Sequence, residues 1–240
     1  VMRTSRNGTV GTPALLNLLE RRAADAKKND DWKGLLVGDI AQPRGGPMLT
    51  GHASHQIGLD ADIWFTPMPD HELTTKEREN LVPLEMVKDR STLNRDNWTE
   101  SRAKLIKTAA LYPEVARIFV HPPIKAELCK WATGDRSWLA KVRPYYNHTF
   151  HFHIRIKCPP GFDGCKNQWT PAPQDGTGCG DELAYLMGPT PCVQKTRDPT
   201  APPVTPSPTL TPTPLPSQLR PFMPAPLLVH PLYSGLEPRT

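Results

Sequence analysis

Two clusters of histidine and aspartate contain the side chains of this chain that are best suited to chemistry. They are His52, His55, Asp60 and Asp62 in GHASHQIGLDADIWF and, about ninety positions later, His148, His151 and His153 in NHTFHFHIRI. Five of the chain's eight histidines therefore lie in two short segments. Zinc binds imidazole nitrogen and carboxylate oxygen readily, so the joint pattern predicts a divalent metal site. For any one of these histidines alone, an ordinary surface residue is the commoner explanation.

Both clusters lie on predicted strands. Residues 149–156 alternate strictly between apolar and polar side chains, which predicts a half-buried strand with His151 and His153 on the same face. Residues 59–64 alternate in the same way, so a strand there directs Asp62 away from the core. The sequence contains no HExxH, which excludes the helical arrangement of zinc ligands. A catalytic zinc site needs three protein ligands, and His55, Asp62 and one of the downstream histidines would supply them from strands and loops.

The segments GHASHQIGLDAD and HTFHFHIR together resemble the penicillin-insensitive murein endopeptidases, which are bacterial cell-wall hydrolases related to the lysostaphin, D-Ala-D-Ala peptidase and hedgehog zinc fold. The resemblance covers about residues 1–193, with supporting stretches in TSRNGTVGTPALLNLLE, LVGDIAQPRGGPMLTGHASHQ, RIFVHPPIKAELC and GCGDEL. It implies that His55, Asp62 and His153 bind one zinc ion per chain. It also implies that His151 is the general base and that His148 is a second catalytic histidine.

These roles fit the chemistry of peptide hydrolysis. Zinc lowers the pKa of a water molecule and polarises a carbonyl, while a base must still carry a proton to the departing amine. Histidine suits that task because its ordinary pKa lies near 6.5. His151 shares a strand face with His153, and we expect His148 to hydrogen-bond the developing oxyanion. The alternative for His148 is a loop residue whose ring bonds to the backbone.

Three further acidic or histidine positions, His52, Asp60 and Asp89, are candidates for roles around the metal. In the resembled family the position of His52 can belong to a second metal site, to which Asp89 in VKDR is a further candidate. The partner histidine expected shortly after Asp89 is missing, since Ser91 and Thr92 stand there. The alternative for Asp89 is a solvated loop charge. We expect Asp60 to accept a hydrogen bond from a ligand imidazole and so to orient it.

The loop AQPRGGPM, residues 41–48, is a candidate for substrate binding. Its two glycines between prolines predict a constrained turn that lets the backbone approach a ligand. Arg44 at the tip is the kind of bidentate donor that binds a peptide carboxylate. A solvated arginine on a surface turn is an equal alternative.

The remaining pattern predicts an α+β domain around an antiparallel sheet, with flanking helices, long loops and the zinc site on one sheet face. Thr12 and Pro13 predict a helix start. The buried side of that helix is expected to comprise Leu15, Leu16, Leu18 and Leu19. Further predicted elements are a core strand over 34–40, a helix over 99–111 with Leu105, Ile106 and Ala109 inward, a strand over 117–120, and a helix from Pro123 to Trp131.

Composition divides the chain into a folded domain, residues 1–195, which the resemblance implies is a metallopeptidase, and a tail, residues 196–240. The tail is rich in Thr and Ser and holds 13 of the chain's 29 prolines. It has no hydrophobic period and cannot bury enough apolar surface to offset its conformational entropy, so we expect it to be disordered. Its apolar stretch PAPLLVHPLY is too short to cross a membrane.

The five cysteines indicate the compartment. None is arranged as CxxC, which makes a structural zinc knuckle a poor explanation and favours disulfides outside the reducing cytosol. Free thiols in a cytosolic protein are the alternative. The resemblance implies a periplasmic protein with disulfides Cys158–Cys165 and Cys129–Cys179, which leaves Cys192 without a partner.

Charge adds little to the identification of partners. The net charge of +5 and the pI near 9.0 favour polyanionic surfaces, but no basic stripe interleaved with aromatics supports nucleic-acid binding. The oligomeric state is not indicated.

The resemblance implies a zinc-dependent endopeptidase that cleaves D-alanyl-meso-diaminopimelyl cross-links of peptidoglycan and that β-lactams do not inhibit, because those drugs acylate serine. A D,D-carboxypeptidase of the same fold and a non-catalytic, zinc-containing wall-binding module are the alternatives.

Overall fold

The computed structural model of the chain describes residues 1–30, 32–48 and 52–188. The chain divides at Pro191 into two units, and every element described below lies in the first, Val1–Pro191. The predicted disordered tail and Cys192 lie outside the described residues. Within these ranges, no helix combines the length and the apolar character that a membrane span requires.

Five α-helices and two short 3-10 helices occur in the described residues. The α-helices are α1 Pro13–Asn29, α2 Thr75–Asn80, α3 Glu100–Leu111, α4 Pro122–Trp131 and α5 Asp181–Met187, and the 3-10 helices are Thr4–Arg6 and Ser137–Lys141. The α1 helix begins as expected, because the Thr12 hydroxyl accepts a hydrogen bond from the Leu15 N–H and a proline occupies the first helical position.

Four strands form one mixed sheet. They are β1 Asp60–Trp64, β2 Val115–Val120, β3 Val142–Pro144 and β4 His151–Ile156, in the spatial order β1-β4-β2-β3. The β4 strand is antiparallel to both β1 and β2, whereas β2 and β3 are parallel. The α+β class is confirmed, but the antiparallel sheet is only partly right. The α4 helix follows β2 and precedes β3, which is the crossover that two parallel neighbours require.

The predicted strand over 34–40 is not a regular strand. Only Val37 forms a β-bridge, with Ile63, although this segment does run beside β1. There the Gly38 N–H donates to the Asp62 carbonyl at 2.7 Å. The carbonyls of Leu36 and Asp39 also accept hydrogen bonds from β1. Two other hydrogen bonds of the segment go to the N-terminal residues, since the Met2 N–H donates to the Val37 carbonyl and the Ile40 N–H donates to the Gly8 carbonyl. The N-terminal segment therefore replaces the next strand of a regular ladder.

The apolar core lies between one sheet face and the helices α1, α3 and α4. The inward side of α3 is as predicted, with Leu105, Ile106 and Ala109 fully buried. On α1 the prediction is wrong for Leu16, which is 38% exposed. The buried stripe of α1 continues at positions 22 and 26, and Leu16 lies off this stripe.

The prediction of a half-buried strand at the downstream histidines is also wrong. All six residues of β4 are buried, as are all five of β1. A second apolar cluster, formed by Met2, Leu36, Trp64 and Leu73, helps to cover the polar face of the sheet. The period-two pattern is therefore present, but neither face of these strands contacts bulk water freely.

Two disulfides and a buried lysine hold the segments after β4. Cys129 bonds Cys179 and Cys158 bonds Cys165, with Cα separations of 5.9 and 5.8 Å. These are the two pairs that the family resemblance implies. The Lys125 ammonium donates to the carbonyls of Leu139 and Thr177, which ties α4 to the same C-terminal segment as the first disulfide.

Candidate metal centre and catalytic histidines

The two histidine clusters meet in an open cleft of about 600 Å³. The register of β1 against β4 brings them together, because Asp62 lies opposite His153 and Trp64 lies opposite His151. Directly opposed residues of an antiparallel pair have neighbouring side chains on the same face. Strand pairing therefore brings together groups that are about ninety positions apart in the sequence.

Three imidazole nitrogens surround one oxygen of Asp62. The distances to Asp62 Oδ1 are 3.2 Å from His55 Nε2, 3.4 Å from His153 Nδ1 and 3.5 Å from His151 Nε2. All four side chains are buried. This oxygen is the geometric centre of the candidate site.

Hydrogen bonds on the far sides of two of these rings determine what faces Asp62. His55 Nδ1 lies 2.7 Å from the Ile40 carbonyl oxygen, and only an N–H can bond to a carbonyl. In the neutral ring His55 Nε2 therefore carries a lone pair toward Asp62. His153 Nε2 likewise lies 2.8 Å from Asp60 Oδ1, which leaves the lone pair of the neutral ring on Nδ1.

The lone pair of His55 Nε2 consequently faces Asp62 Oδ1, so two hydrogen-bond acceptors lie against each other. His55 Nε2 and Asp62 Oδ1 are both buried without a hydrogen-bond partner. Burying such groups unpaired is costly, and a cation between them would remove the cost. Two imidazoles and a carboxylate are a donor set that zinc favours, so these residues fit a zinc ion.

The charges of the cluster agree with this geometry. Burial alone would raise the pKa of the Asp62 carboxyl, but the imidazoles of His151, His153 and His55 hold that pKa well below its ordinary value. Burial alone would lower the pKa of His153, but its hydrogen bond with Asp60 and the negative charges of Asp60 and Asp62 raise that pKa to about 9. The centre therefore favours a positive charge between His153 and Asp62, either as a proton or as a metal ion.

His55 has an unusual backbone. Its φ of 63° lies in the left-handed region, which costs about 1–3 kcal/mol for a residue other than glycine. The bond from its ring to the Ile40 carbonyl fixes the imidazole while the backbone holds this conformation. Strained residues of this kind concentrate at functional sites.

His52 joins the same cluster. Ligand atoms of His52, His55 and Asp62 lie within 4.8 Å of one another, so this group could hold a metal ion. His52 Nε2 also lies 3.0 Å from Asp39 Oδ2, and this hydrogen bond raises the pKa of His52. Asp39 is a buried residue of the site that the sequence reasoning missed; its only local signal is its place just before Ile40 in the segment beside β1.

Asp89, the other candidate for a second metal, lies elsewhere. It is exposed, and its Oδ1 accepts hydrogen bonds from the N–H groups of Ser91 and Thr92. It is absent from the described residues that line the cleft and from the described group that could hold a metal. The structure therefore groups His52 with His55 rather than with Asp89.

Asp60 lies where a residue that orients a ligand is expected. It is fully buried, with Oδ1 on His153 and Oδ2 at 2.6 Å from Arg155 Nη1. Burial alone would raise the pKa of Asp60, but the bond with His153 and the charge of Arg155 hold it below its ordinary value. An ionised Asp60 fixes both the orientation and the tautomer of His153.

The two histidines predicted to be catalytic lie beside this centre. Burial lowers the pKa of His148 to about 3, with a further contribution from His151, and burial also lowers the pKa of His151. Both rings are therefore neutral near pH 7. Their centroids are 5.1 Å apart, and His151 Nδ1 is buried without a hydrogen-bond partner.

The turn before β4 determines how His148 is presented. Asn147 adopts a left-handed φ of 67°, and the His148 Nδ1–H donates to the Tyr146 carbonyl at 2.8 Å. The Nε2 of the neutral ring is therefore a proton acceptor. The expected hydrogen bond to an oxyanion needs a donor at that atom, so this geometry favours an acceptor role for His148.

Arg44 is exposed, and the described residues that line the cleft do not include it. Its loop has the predicted turn, with left-handed φ values of 67° and 82° at Gly45 and Gly46. The arginines that do line the cleft are Arg3, Arg6 and Arg117. The first two were missed because VMRTSRNGTV has no periodic pattern that would place it over the sheet.

The chain is similar to known proteins over most of its length. Residues 1–221 match the model of a family described as penicillin-insensitive murein endopeptidase. Among curated proteins with that name, one from Haemophilus influenzae is 44% identical over 208 residues, which is 85% of this chain and 70% of the relative. Relatives from Yersinia pestis and Klebsiella pneumoniae are each 40% identical over 208 residues, covering 86% and 84% of this chain and 74% of each relative.

The family match extends over most of the chain and includes both strands of the candidate centre. Together with the three relatives, it confirms the resemblance carried by GHASHQIGLDAD and HTFHFHIR. The chain belongs to the penicillin-insensitive murein endopeptidase family.

Proposed function

We propose that the protein is a zinc-dependent endopeptidase that hydrolyses D-alanyl-meso-diaminopimelyl cross-links of peptidoglycan in the periplasm. The observation that carries this proposal is the arrangement around Asp62 Oδ1, where the buried His55 Nε2 presents a lone pair to a carboxylate oxygen that has no hydrogen-bond partner and His153 Nδ1 lies 3.4 Å away. Membership of the family and the names of the relatives support peptidoglycan as the substrate, and the bond that is cleaved is taken from the resemblance. The two disulfides fit an oxidising compartment such as the periplasm.

His55, Asp62 and His153 are the proposed ligands of one zinc ion. Bound zinc supplies Lewis acidity, which polarises a scissile carbonyl and makes water a nucleophile near neutral pH. His52 lies close enough to the same group to contribute to this ion. We do not assign a second ion to Asp89, since its carboxylate is engaged in its own turn.

His151 is the proposed general base. It projects from β4 on the same face as His153, its Nε2 lies 3.5 Å from Asp62 Oδ1, and its ring is neutral near pH 7. It can therefore take a proton from the attacking water and deliver it to the departing amine. His148 is the proposed second catalytic histidine, and its Nε2 accepts a proton or a hydrogen bond during this transfer.

A digestion experiment tests the function. Purified protein is incubated with a cross-linked dimeric muropeptide and with an uncross-linked pentapeptide monomer, each with and without a chelator, and the products are identified by mass spectrometry. The proposal predicts that the dimer is converted to monomers, that the chelator stops this reaction, and that added zinc restores it. Removal of D-alanine from the pentapeptide with no cleavage of the dimer would indicate a carboxypeptidase, and binding to sacculi without any product would indicate a wall-binding module.

A further inference from the structure

We propose that Arg3 binds a free carboxylate of the substrate, on the amine-side residue of the bond that is cleaved. The proposal rests on the proposed endopeptidase function and specifies how the cleft selects its peptide. It assigns to Arg3 the carboxylate-binding role that the sequence suggested for Arg44.

The three arginines of the cleft differ in what their guanidinium groups already bind. Arg6 Nη1 lies 3.4 Å from Asp39 Oδ2, so its charge has a partner. Both terminal nitrogens of Arg117 are used, since Nη2 donates to Gln168 at 2.8 Å and Nη1 donates to Thr170 at 3.2 Å. The Arg3 side chain has no hydrogen bond or ion pair with any residue in the part of the chain that the structure describes. Its donors therefore remain free for a ligand.

Arg3 is nevertheless held in a defined position. Its guanidinium carbon lies 5.3 Å from the centroid of the Trp64 ring, a cation–π distance. Its backbone N–H donates to the Arg78 carbonyl at 3.0 Å, and the neighbouring Met2 is buried. A donor that is already positioned loses little entropy when it binds, which favours recognition.

Trp64 places this guanidinium near the proposed zinc. Trp64 follows Asp62 by two positions on β1, so the two side chains share a face about 7 Å apart along the strand. Both line the cleft with Arg3. A carboxylate bound at Arg3 would therefore lie about one residue away from the carbonyl being attacked.

The electrostatics favour an anion at this position. Burial and the positive charge of Arg6 lower the pKa of the Arg3 guanidinium, and the negative charges of Asp39 and Glu79 offset this lowering only in part. A carboxylate bound between these cations would relieve their repulsion. The planar guanidinium also matches a carboxylate in a bidentate geometry.

The proposed substrate has an anion in the corresponding place. In a D-alanyl-meso-diaminopimelyl bond, the carbon attached to the amide nitrogen carries a free carboxylate. A chain that reads this group should discriminate against the same peptide with a carboxamide there, because a charge-assisted pair is replaced by a weaker contact.

The test uses two dimeric muropeptides that differ only in this group, carboxylate or carboxamide. We expect the wild-type protein to cleave the carboxylate substrate with a higher kcat/KM. Arg3→Gln should lower kcat/KM for the carboxylate substrate by about 10- to 100-fold and leave the carboxamide substrate nearly unchanged. Arg3→Lys, which keeps the charge without the planar fork, should reduce the preference in part. Arg95→Ala is the matched control, since Arg95 is an exposed arginine paired with Glu127 outside the cleft.

The outcomes separate this inference from the proposed function. Equal losses on both substrates in Arg3→Gln would assign Arg3 a structural role and overturn the inference. So would an unchanged preference in both Arg3 variants, or a preference that disappears in Arg44→Ala but persists in Arg3→Gln. If Arg3→Gln does not fold, an unchanged preference in Arg3→Lys is sufficient to overturn it. A wild-type protein that cleaves neither dimer would instead overturn the endopeptidase function itself.

Discussion

The two faces of strands β1 and β4 are buried to a similar extent but contain opposite kinds of side chain. On the core face, Ala61, Ile63 and Phe152 are fully buried among apolar neighbours. On the cleft face, Asp62 and His153 are each 4% exposed, and imidazole nitrogens lie 3.2, 3.4 and 3.5 Å from Asp62 Oδ1. The same two strands thus bury apolar surface on one side and polar acceptors on the other.

Because of this difference, substitutions on the two faces should affect different properties of the protein. Burial of apolar side chains stabilises the fold by about 1.5–3 kcal/mol for each large residue. Burial of acceptors without donors has the opposite sign, and only a bound cation or proton offsets it. We therefore expect substitutions on the core face to act on unfolding and substitutions on the cleft face to act on metal binding and catalysis.

The largest expected effect on the cleft face is that of Asp62→Asn. The amide keeps the shape of the side chain but removes the charge at the centre of the site, so hydrolysis of the cross-linked dimer should fall to the background rate. The free energy of unfolding of the chelated protein should change by less than about 2 kcal/mol, because no apolar packing is lost. Activity is measured by muropeptide chromatography and stability by urea denaturation. Asp163→Asn, at an exposed position, is the control, and full activity in Asp62→Asn would contradict the assigned centre.

His151→Ala removes the proposed base and leaves the proposed ligands in place. The kcat should fall by about 10²- to 10⁴-fold, which is the usual contribution of general acid–base catalysis, while the zinc content stays near that of the wild type. Single-turnover digestion together with metal analysis of the same preparation measures both quantities. Loss of zinc together with activity would show that His151 is a ligand instead.

On the core face, Phe152→Ala should have the reverse pattern. Its ring is fully buried and lies 5.6 Å from the Phe65 ring, so truncation should lower the free energy of unfolding by about 3–5 kcal/mol. The folded fraction should retain zinc and activity when both are expressed per folded molecule. Tyr185→Ala, which truncates an aromatic residue that is 64% exposed, is the matched control and should have little effect. A comparable loss of activity per folded molecule would contradict the separation of the two faces.

The smallest expected effect is that of Asp60→Asn, on the same face of β1 as Asp62. The amide no longer supplies the charge that holds the Nε2–H of His153, so zinc affinity should weaken by about 10- to 100-fold. Competition with a chromophoric chelator at constant pH measures this affinity. An unchanged zinc affinity would show that Asp60 does not orient the ligand. This conclusion would hold even if the loss of the pair with Arg155 lowered the free energy of unfolding.

The local geometry of the histidines was predictable because it depends on one strand alone. The period-two pattern places His151 and His153 on a common face without reference to any other segment. The choice of His153 as the ligand and His151 as the base is what the resemblance implies, and it stays a prediction. Asp62 was predicted as a ligand, but the register between β1 and β4 that places it opposite His153 is not specified by any local pattern.

The less predictable features depend on contacts between distant segments. Residues 34–40 have the composition of a strand, but their hydrogen bonds are divided between β1 and the N-terminal segment. The N-terminal segment brings Arg3 over Trp64, and residues 34–40 bring Asp39 against His52. The parallel pairing of β2 with β3 similarly follows from the path of α4, which the sequence pattern of a three-residue strand does not reveal.

The central claim is that a metal ion belongs at Asp62 Oδ1, between His55 and His153. Anomalous diffraction from crystals of the zinc-loaded protein, recorded on both sides of the zinc absorption edge, tests it most directly. We predict one strong peak within bonding distance of His55 Nε2, an Asp62 carboxylate oxygen and His153 Nδ1. A fully loaded, active protein with no peak at these atoms, or with its peak at a different set of residues, would contradict the assignment.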